Sequence, residues 1–286
     1  MKSAKRLIII ITAVLVTIVS LIIYYNNVIV VRNETIKSDL FSEDIDGYTI
    51  IYFSDLHYTN FINEKYLNRL VEKINDENPD IVIFGGDLID KLQDKQISNE
   101  DKENLINELS KINNTNGKYA ILGNHDYSEG SYEYVKDIYS KSGFTLLKDN
   151  CVSIKINEKD TINILGIDSL FFSWDMFLES YNNIDTNNYT IGVIHHPDLV
   201  EYMPNTKFDY VLSGHSHGGQ IYIPLFKNNY NIYGCTKFFK GKYETCNNIK
   251  QYTIDVSSGV GRTRINMRLF TNSEIVKYKL KKEITK

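Results

Sequence analysis

Cysteine is scarce in this sequence: Cys151, Cys235 and Cys246 are the only three in 286 residues. Thiols at those spacings form neither a disulfide framework nor a Cys-x-x-Cys metal site, so they read as structural or idle, with a Cys235–Cys246 pair across a hairpin as the alternative, and leave the redox compartment open. None of them has an arginine six residues later, which excludes a Cys-x5-Arg phosphatase, and a Gly-x4-Gly-Lys-Ser/Thr phosphate loop is absent. Positive charge is not in excess either. With 32 lysines and arginines against 36 acidic residues the net charge is -4, so the chain has no general basic field and specific nucleic-acid binding is not expected. Internal repeats and low-complexity linkers are also missing. What is present is ordinary globular composition, 42% hydrophobic and 24% charged, on a chain long enough for one large α/β domain.

Long uncharged runs are equally rare, with one exception. Leu7 to Ile23 is a run of 17 residues whose only polar members are Thr12, Thr17 and Ser20, and Tyr24 and Tyr25 follow it. As a helix to Tyr25 it would span about 28 Å, close to the thickness of a bilayer core. Lys2, Lys5 and Arg6 precede the run, against Arg32 and Lys37 after it. The positive-inside rule then predicts a short cytoplasmic N-terminus over 1–6, a single-pass anchor in the cell membrane over 7–25, a connecting segment over 26–45 and a domain over 46–286 on the extracytoplasmic side. The rival is a cleaved signal peptide, but the run exceeds the usual apolar length and "SLIIYYNNV" holds no small-x-small cleavage site.

From Tyr48 the pattern becomes βαβ. "YTIIYFSD" is a short apolar strand, and Leu67, Leu70, Val71 and Ile74 then recur at helical spacing before the strand "IVIFGGD". A right-handed crossover makes those strands parallel neighbours. Leu105, Ile106, Leu109 and Ile112 repeat the helical pattern ahead of "KYAILGNHD", a further helix is predicted over Tyr132 to Ser142, and "CVSIKIN" and "TINILGID" read as a hairpin around "NEKD". "YTIGVIHHP", "FDYVLSGHSH", "QYTIDVSS" and "EIVKYKL" add further strands.

All six histidines, His57, His125, His195, His196, His215 and His217, fall in four short words: "SDLH", "GNHD", "IHHP" and "GHSH". Scattered structural histidines would not gather beside Asp, Asn and Gly at strand ends. Asp55, Asp87, Asn124, His195 and His215 each lie at or just past the C-terminal end of an apolar strand, the edge where α/β sheets gather a binding crevice. In extended backbone, residues two apart project to one side, so Asp55 with His57, and His215 with His217, are expected to aim two ligands at one place. Flanking glycines leave room near the backbone. Imidazole mixed with carboxylate and amide oxygen suits Mn, Fe, Zn or Co better than calcium or magnesium.

In order, "SDLH", "GGDLID", "GNHD", "IHHP" and "SGHSHGGQIYIP" resemble the five signature blocks of the calcineurin-like metallophosphoesterases, and the likeness runs from Tyr48 to Lys279. The last block, with "KFFKGKYE" and "VSSGVGRTRIN", is similar to the bacterial membrane-associated, YkuE-like phosphodiesterase branch, related to UDP-diacylglucosamine hydrolases. The resemblance implies an α/β fold of four layers, αββα, in which two mixed β-sheets are flanked by helices, and it makes 46–286 the catalytic domain. It also implies two divalent metal ions per chain, Mn, Fe or Zn. Asp55, His57, Asp87 and His217 would surround one, and Asp87, Asn124, His195 and His215 the other, with Asp87 bridging. His195 rather than His196 takes the ligand place, because the family word has one residue between that histidine and the proline. His125 is implied to meet the substrate, oriented by Asp126. Two cations about 3.5–4 Å apart share a hydroxide that attacks the phosphorus in line.

Other residues receive plainer readings. Asp90 reads as a helix cap or hydrogen-bond acceptor, and His196 as packing or solvent contact beside Pro197. Ser54, Ser213 and Ser216 read as turn hydrogen bonders, since the histidines leave them no base. Arg262, Arg264 and Arg268 read as a solvated strand edge, with steering of phosphate into the rim as the alternative, and "FFSWDMFLESY", 171–181, as a lid, a membrane-touching flap or a core helix. "DIDGY" at Asp44 is no aspartate-based phosphatase motif, because it precedes its strand. The expected function is a membrane-anchored phosphoesterase acting on a phosphodiester or lipid-linked phosphate, with no protein partner inferred. Alternatives are a phosphomonoesterase of phosphoproteins or nucleotides, and an inactive metal-binding scaffold, whose expected mark of a missing ligand is not seen. "NSEI" in place of Pro-Glu-Ile, and Tyr58 and Thr59 after "DLH" where glycine is common, touch no metal position and bear on the substrate instead.

Overall fold

Two six-stranded sheets stack face to face in the computed structural model, which describes residues 2–58, 61–90, 98–127, 131–168, 174–203, 205–223 and 232–284. The first contains β1 (Ile29–Ser38), β2 (Thr49–Phe53), β3 (Ile81–Phe84), β4 (Lys118–Ala120), β5 (Phe144–Leu146) and β12 (Ser273–Lys282), in the order β1-β12-β2-β3-β4-β5. The crossovers from β2 to β5 carry α2 (Glu64–Asp76), α3 (Asn99–Ser110) and α4 (Ser131–Lys141), and these four strands run parallel as the βαβ pattern predicts. The second sheet contains β6 (Asn150–Lys155), β7 (Thr161–Ile167), β8 (Tyr189–Ile194), β9 (Tyr210–Ser213), β10 (Gly241–Cys246) and β11 (Gln251–Val256), in the order β10-β11-β9-β8-β7-β6. Each sheet mixes parallel and antiparallel pairs, and β6 with β7 is the expected hairpin.

Period-two patterning builds the layers. Ile51, Phe53, Val82 and Phe84 face the helices, where Leu67, Leu70, Val71 and Ile74 of α2 bury their predicted stripe. Asn63 starts that helix by accepting from the Tyr66 amide, a cap that replaces one of the missing intrahelical partners. Ile50, Tyr52, Ile81 and Ile83 point the other way and meet Ile162, Ile164, Ile191, Val193 and Leu212 between the sheets. The far face of the second sheet packs Leu165, Ile167, Ile194 and Val211 against Phe177 of α5 (Trp174–Asn182). Helix, sheet, sheet and helix are thus the four layers. Within the stretch 171–181, the core reading holds for the buried Phe177, which stacks on Tyr181 at 5.6 Å, while Met176 and Leu178 are exposed and 171–173 lie outside the described residues. The three cysteines are free thiols.

One helix among the described residues, α1 (Lys2–Asn27), is long and apolar enough to cross a membrane, and none of its apolar window is buried against the rest of the molecule. The segment 26–45, expected to be a connection, carries β1 instead. That strand pairs in parallel with β12 from Ile29 opposite Ser273 to Ser38 opposite Lys282, which leaves Val28 alone between helix and sheet. Its polar middle is a cross-sheet tie rather than a linker. The Arg32 guanidinium donates to both oxygens of Asp255 on β11, at 2.8 and 2.9 Å, although the Asp255 carboxylate is wholly buried. Burial alone would lower the Arg32 pKa, but the Asp255 hydrogen bonds hold it above its ordinary value.

Candidate metal centre

Five strands end on one rim. β2, β3, β4, β8 and β9 stop at Phe53, Phe84, Ala120, Ile194 and Ser213, and Asp55, Asp87, Asn124, His195 and His215 follow each within a few residues. The backbone there is not extended. Asp55, His57, Asp87, His215 and His217 have φ of 57°, 47°, 57°, 70° and 51°, the left-handed region that side-chain-bearing residues avoid. Such strain costs on the order of 1 kcal/mol or more per residue and persists only where the surroundings impose it. Here the amides of Asp55 and His57 donate to the carbonyls of Gly86 and Asp87. These pairs are therefore not set by extended backbone: Asp55 and His57 stay together, while His215 and His217, expected to aim at one place, diverge into separate clusters.

The side chains form two clusters at the strand ends, and a third group, His57 with Asp90 and His125, shares His57 with the first. The ligand atoms of Asp55, His57 and His217 lie within 4.8 Å of one another, and so do those of Asp87, His195 and His215. Asp87 joins them, because its Oδ2 is 3.5 Å from His57 Nε2 in the first and 3.2 Å from His195 Nε2 in the second. His57 Nε2 and His217 Nε2 face each other at 3.0 Å, and His217 Nε2 is 3.7 Å from Asp55 Oδ1. His195 Nδ1 is 2.8 Å from the Gly85 carbonyl, a contact that turns Nε2 toward Asp87. His215 Nε2 likewise meets the Tyr233 carbonyl at 2.8 Å.

Two glycines make space for carboxylates rather than for a substrate. A Cβ on Gly123 would stand 2.1 Å from Asp87 Oδ1, and one on Gly214 would stand 2.6 Å from Asp55 Oδ2. Ser54 Oγ donates to Asp55 Oδ2, Ser213 Oγ to the Ile194 and His195 carbonyls, and Ser216 Oγ accepts from the Gly218 amide, the turn roles expected of them. His196 packs with its ring centre 4.0 Å from that of His215, beside a cleft lined by Leu199, Tyr202, Tyr233 and Gly234.

His125 stands against this centre with its ring 4.6 Å from that of His57, edge to face. The carboxylate beside it is not Asp126. Asp126 is wholly buried and its oxygens accept from the backbone amides of Asp87, Leu88 and Gly123, so it braces the turn that carries Asp87. Asp90 Oδ1 lies 2.8 Å from His125 Nδ1 and takes the orienting place that the sequence reading gave to Asp126. Neighbours in the chain were mistaken for neighbours in space.

Electrostatics fit a cation-binding role. Burial would raise the Asp87 carboxyl, but the rings of His195, His125 and His57 hold it well below the usual carboxylate range. Burial lowers His215 to about 4, with the nearby His195 adding to the effect, and burial beside His57 and Arg268 puts His217 well below an ordinary imidazole. Neutral rings present lone pairs. His195 differs: burial would lower it too, but Asp87 and Asp55 raise it to about 9, so the two carboxylates draw positive charge to this place, and a divalent cation bound there would displace the His195 proton. Asn124 Oδ1 is buried with no hydrogen-bond partner among the described residues. An orphaned buried acceptor is costly unless a donor or a cation engages it. The donor set matches divalent transition metals.

Arg268 is not on a solvated edge: among the described residues it is the largest fully buried side chain, and it donates to the carbonyls of Ser258, Gly259, Gly261, Asn272 and His217. Arg262 is also buried, and Arg264 alone of the three is exposed. The loop that Arg268 gathers touches the centre directly, since the Gly261 amide donates to the Asp55 carbonyl at 2.7 Å. Only the glycine-rich word "SSGVG" hinted at it.

Comparison with known proteins gives the geometry a family. The profile of the calcineurin-like phosphoesterases matches residues 48–219. An uncharacterised metallophosphoesterase of Bacillus subtilis, YkuE, is 28% identical over 254 residues, which cover 89% of this chain and 86% of the relative. One from Campylobacter jejuni is 30% identical over 81% of this chain and 59% of its own length. A zebrafish transmembrane protein with a metallophosphoesterase domain is 29% identical over 84% of this chain and 54% of its own length. On the match to more than half its length, and on the blocks that form its two histidine and carboxylate clusters, the chain belongs to the calcineurin-like phosphoesterases and is a metallophosphoesterase, a hydrolase of phosphoric esters.

Proposed function

We propose that the protein is a membrane-anchored phosphoesterase with a dinuclear centre, acting on a phosphodiester or lipid-linked phosphate. The observation that carries this reading is the place of Asp87 Oδ2, within 3.5 Å of an imidazole nitrogen from each cluster. Asp55, His57, Asp87 and His217 would hold one divalent cation, and Asp87, Asn124, His195 and His215 the second, with manganese, iron or zinc suited to these donors. Bound there, the metals supply positive charge for the phosphoryl oxygens and make water a stronger acid.

The chain's own groups do the rest. His125, whose Nδ1 is turned to Asp90, would hold a proton on Nε2 for the leaving oxygen. Asp126 is a positioning residue that fixes the Asp87 turn through backbone amides. The cleft at Leu199, Tyr202 and Tyr233 offers an apolar and aromatic wall to one side of a phosphoester.

Residues 7–25 are proposed to cross the membrane once. Arg32 and Lys37 belong to the paired strand β1, so Lys2, Lys5 and Arg6 are left as the flanking cations, which favours a cytoplasmic N-terminus and an extracytoplasmic catalytic domain. The test of substrate class is a direct comparison of bis(4-nitrophenyl) phosphate with 4-nitrophenyl phosphate in the presence of manganese. Faster turnover of the diester supports this reading. Exclusive turnover of the monoester replaces it with a phosphomonoesterase.

A further inference from the structure

The end of the apolar helix is locked to the loop that braces the metal centre. The Arg262 guanidinium donates to the Asn26 carbonyl at 2.7 Å, the Arg268 amide donates to Asn26 Oδ1 at 2.7 Å, and Asn26 Nδ2 donates to the Asn266 carbonyl at 3.0 Å. The Tyr25 ring meets Phe270 edge-on at 5.9 Å. With Val28 alone before β1, there is no slack through which the domain could swing away.

On one side of this lock the surface is apolar where solvent would favour polar groups. Tyr222, Ile223, Ile265 and Phe270 are 38, 43, 44 and 41% exposed. Tyr222 and Phe270 are brought together by a short bridge, in which the Tyr222 amide donates to the Leu269 carbonyl and the Leu269 amide to that of Gln220. Exposed Arg264 adjoins Ile265, and Lys240 Nζ lies 6.0 Å from the Tyr222 ring centre. Apolar side chains bordered by cations suit the boundary between acyl chains and anionic headgroups.

We propose that Tyr222, Ile223, Arg264, Ile265 and Phe270 form a membrane-contact platform that seats the metal centre at the bilayer surface. This inference rests on the anchored phosphoesterase reading and deepens it: the favoured substrate is a phosphoester carried in the plane of the membrane. The platform favours lipid over a protein partner because, through Phe270 against Tyr25, it adjoins the exit of a helix suited to the bilayer. It is also continuous with the centre, since Arg268 donates to the His217 carbonyl and Gln220 stands three residues after His217.

Trp174 is the only tryptophan, so the full chain can report contact directly. In a Trp174→Phe background, Phe270→Trp and Ile223→Trp are placed in nanodiscs of phosphatidylcholine and phosphatidylglycerol, with Ile249→Trp, an exposed apolar site on the β10–β11 turn, as control. Brominated lipid should cut the emission of both platform probes by about twofold and leave the control unchanged. Platform probes as unaffected as the control would overturn the proposal, whatever protein might cover that face instead. Should Trp174→Phe prevent folding, the same probes are read as the difference from the parent with Trp174 kept. Hydrolysis of soluble bis(4-nitrophenyl) phosphate by the same samples reports the phosphoesterase reading separately: quenching without hydrolysis spares the platform, and hydrolysis without quenching removes it.

Discussion

Asp87 is where the two clusters converge, and its substitution separates a shared ligand from a bystander. Asp87→Asn and His215→Ala are expected to lower diester hydrolysis by at least about 100-fold and to reduce bound metal, measured by turnover and by elemental analysis. His125→Ala should differ: kcat falls by about 10²–10⁴ while metal content holds, because a group that moves a proton is lost and no ligand is. Asp90→Asn should reproduce part of that kcat loss. Asp126→Asn should instead weaken metal retention, since its partners are the amides that shape the Asp87 turn. If Asp126→Asn gives the kcat phenotype and Asp90→Asn does not, the assignment of the orienting carboxylate is reversed. At this scale the sequence was informative because all six histidines stood in words at strand ends. The Asp90 contact was hidden because it spans 35 residues of chain, and the left-handed backbone because residue identity does not announce it at Asp or His.

Elements fix how those residues are held. Arg268 gathers a loop that has no regular structure of its own, so Arg268→Met would leave several buried carbonyls without donors. The expected cost is about 3 kcal/mol or more in denaturant unfolding of the full chain, and Arg268→Lys should recover little, because an ammonium cannot reach carbonyls on so many sides. Arg32→Met removes the cross-sheet tie and leaves the Asp255 carboxylate buried with only neutral donors such as the Tyr278 hydroxyl. A loss of about 2–4 kcal/mol is expected, and an unchanged unfolding midpoint would refute the role. The βαβ crossovers were legible because their signals are local, an Asn63 cap and a stripe of Leu67, Leu70, Val71 and Ile74. β1 was not, because its pairing with β12 joins residues more than 240 apart and its Arg32 and Glu34 look like linker residues until Asp255 is brought to them.

The whole molecule is a pair of mixed sheets between helices whose strand ends meet on one rim, and that architecture was readable as a family pattern. Its relation to the membrane was half readable. The apolar run was plain in the sequence, but the lock between Asn26 and the Arg262–Phe270 loop depends on a fold that places Tyr25 and Asn26, at the end of α1, against the centre's brace. A dinuclear site shared through Asp87 must hold two metals, so their number decides whether it exists. The full chain, reconstituted with manganese and freed of excess, is expected to carry about two ions per chain, with a spin-coupled pair signal in electron paramagnetic resonance that vanishes in Asp87→Asn. One ion per chain at full activity, or activity that survives rigorous chelation, would contradict the account.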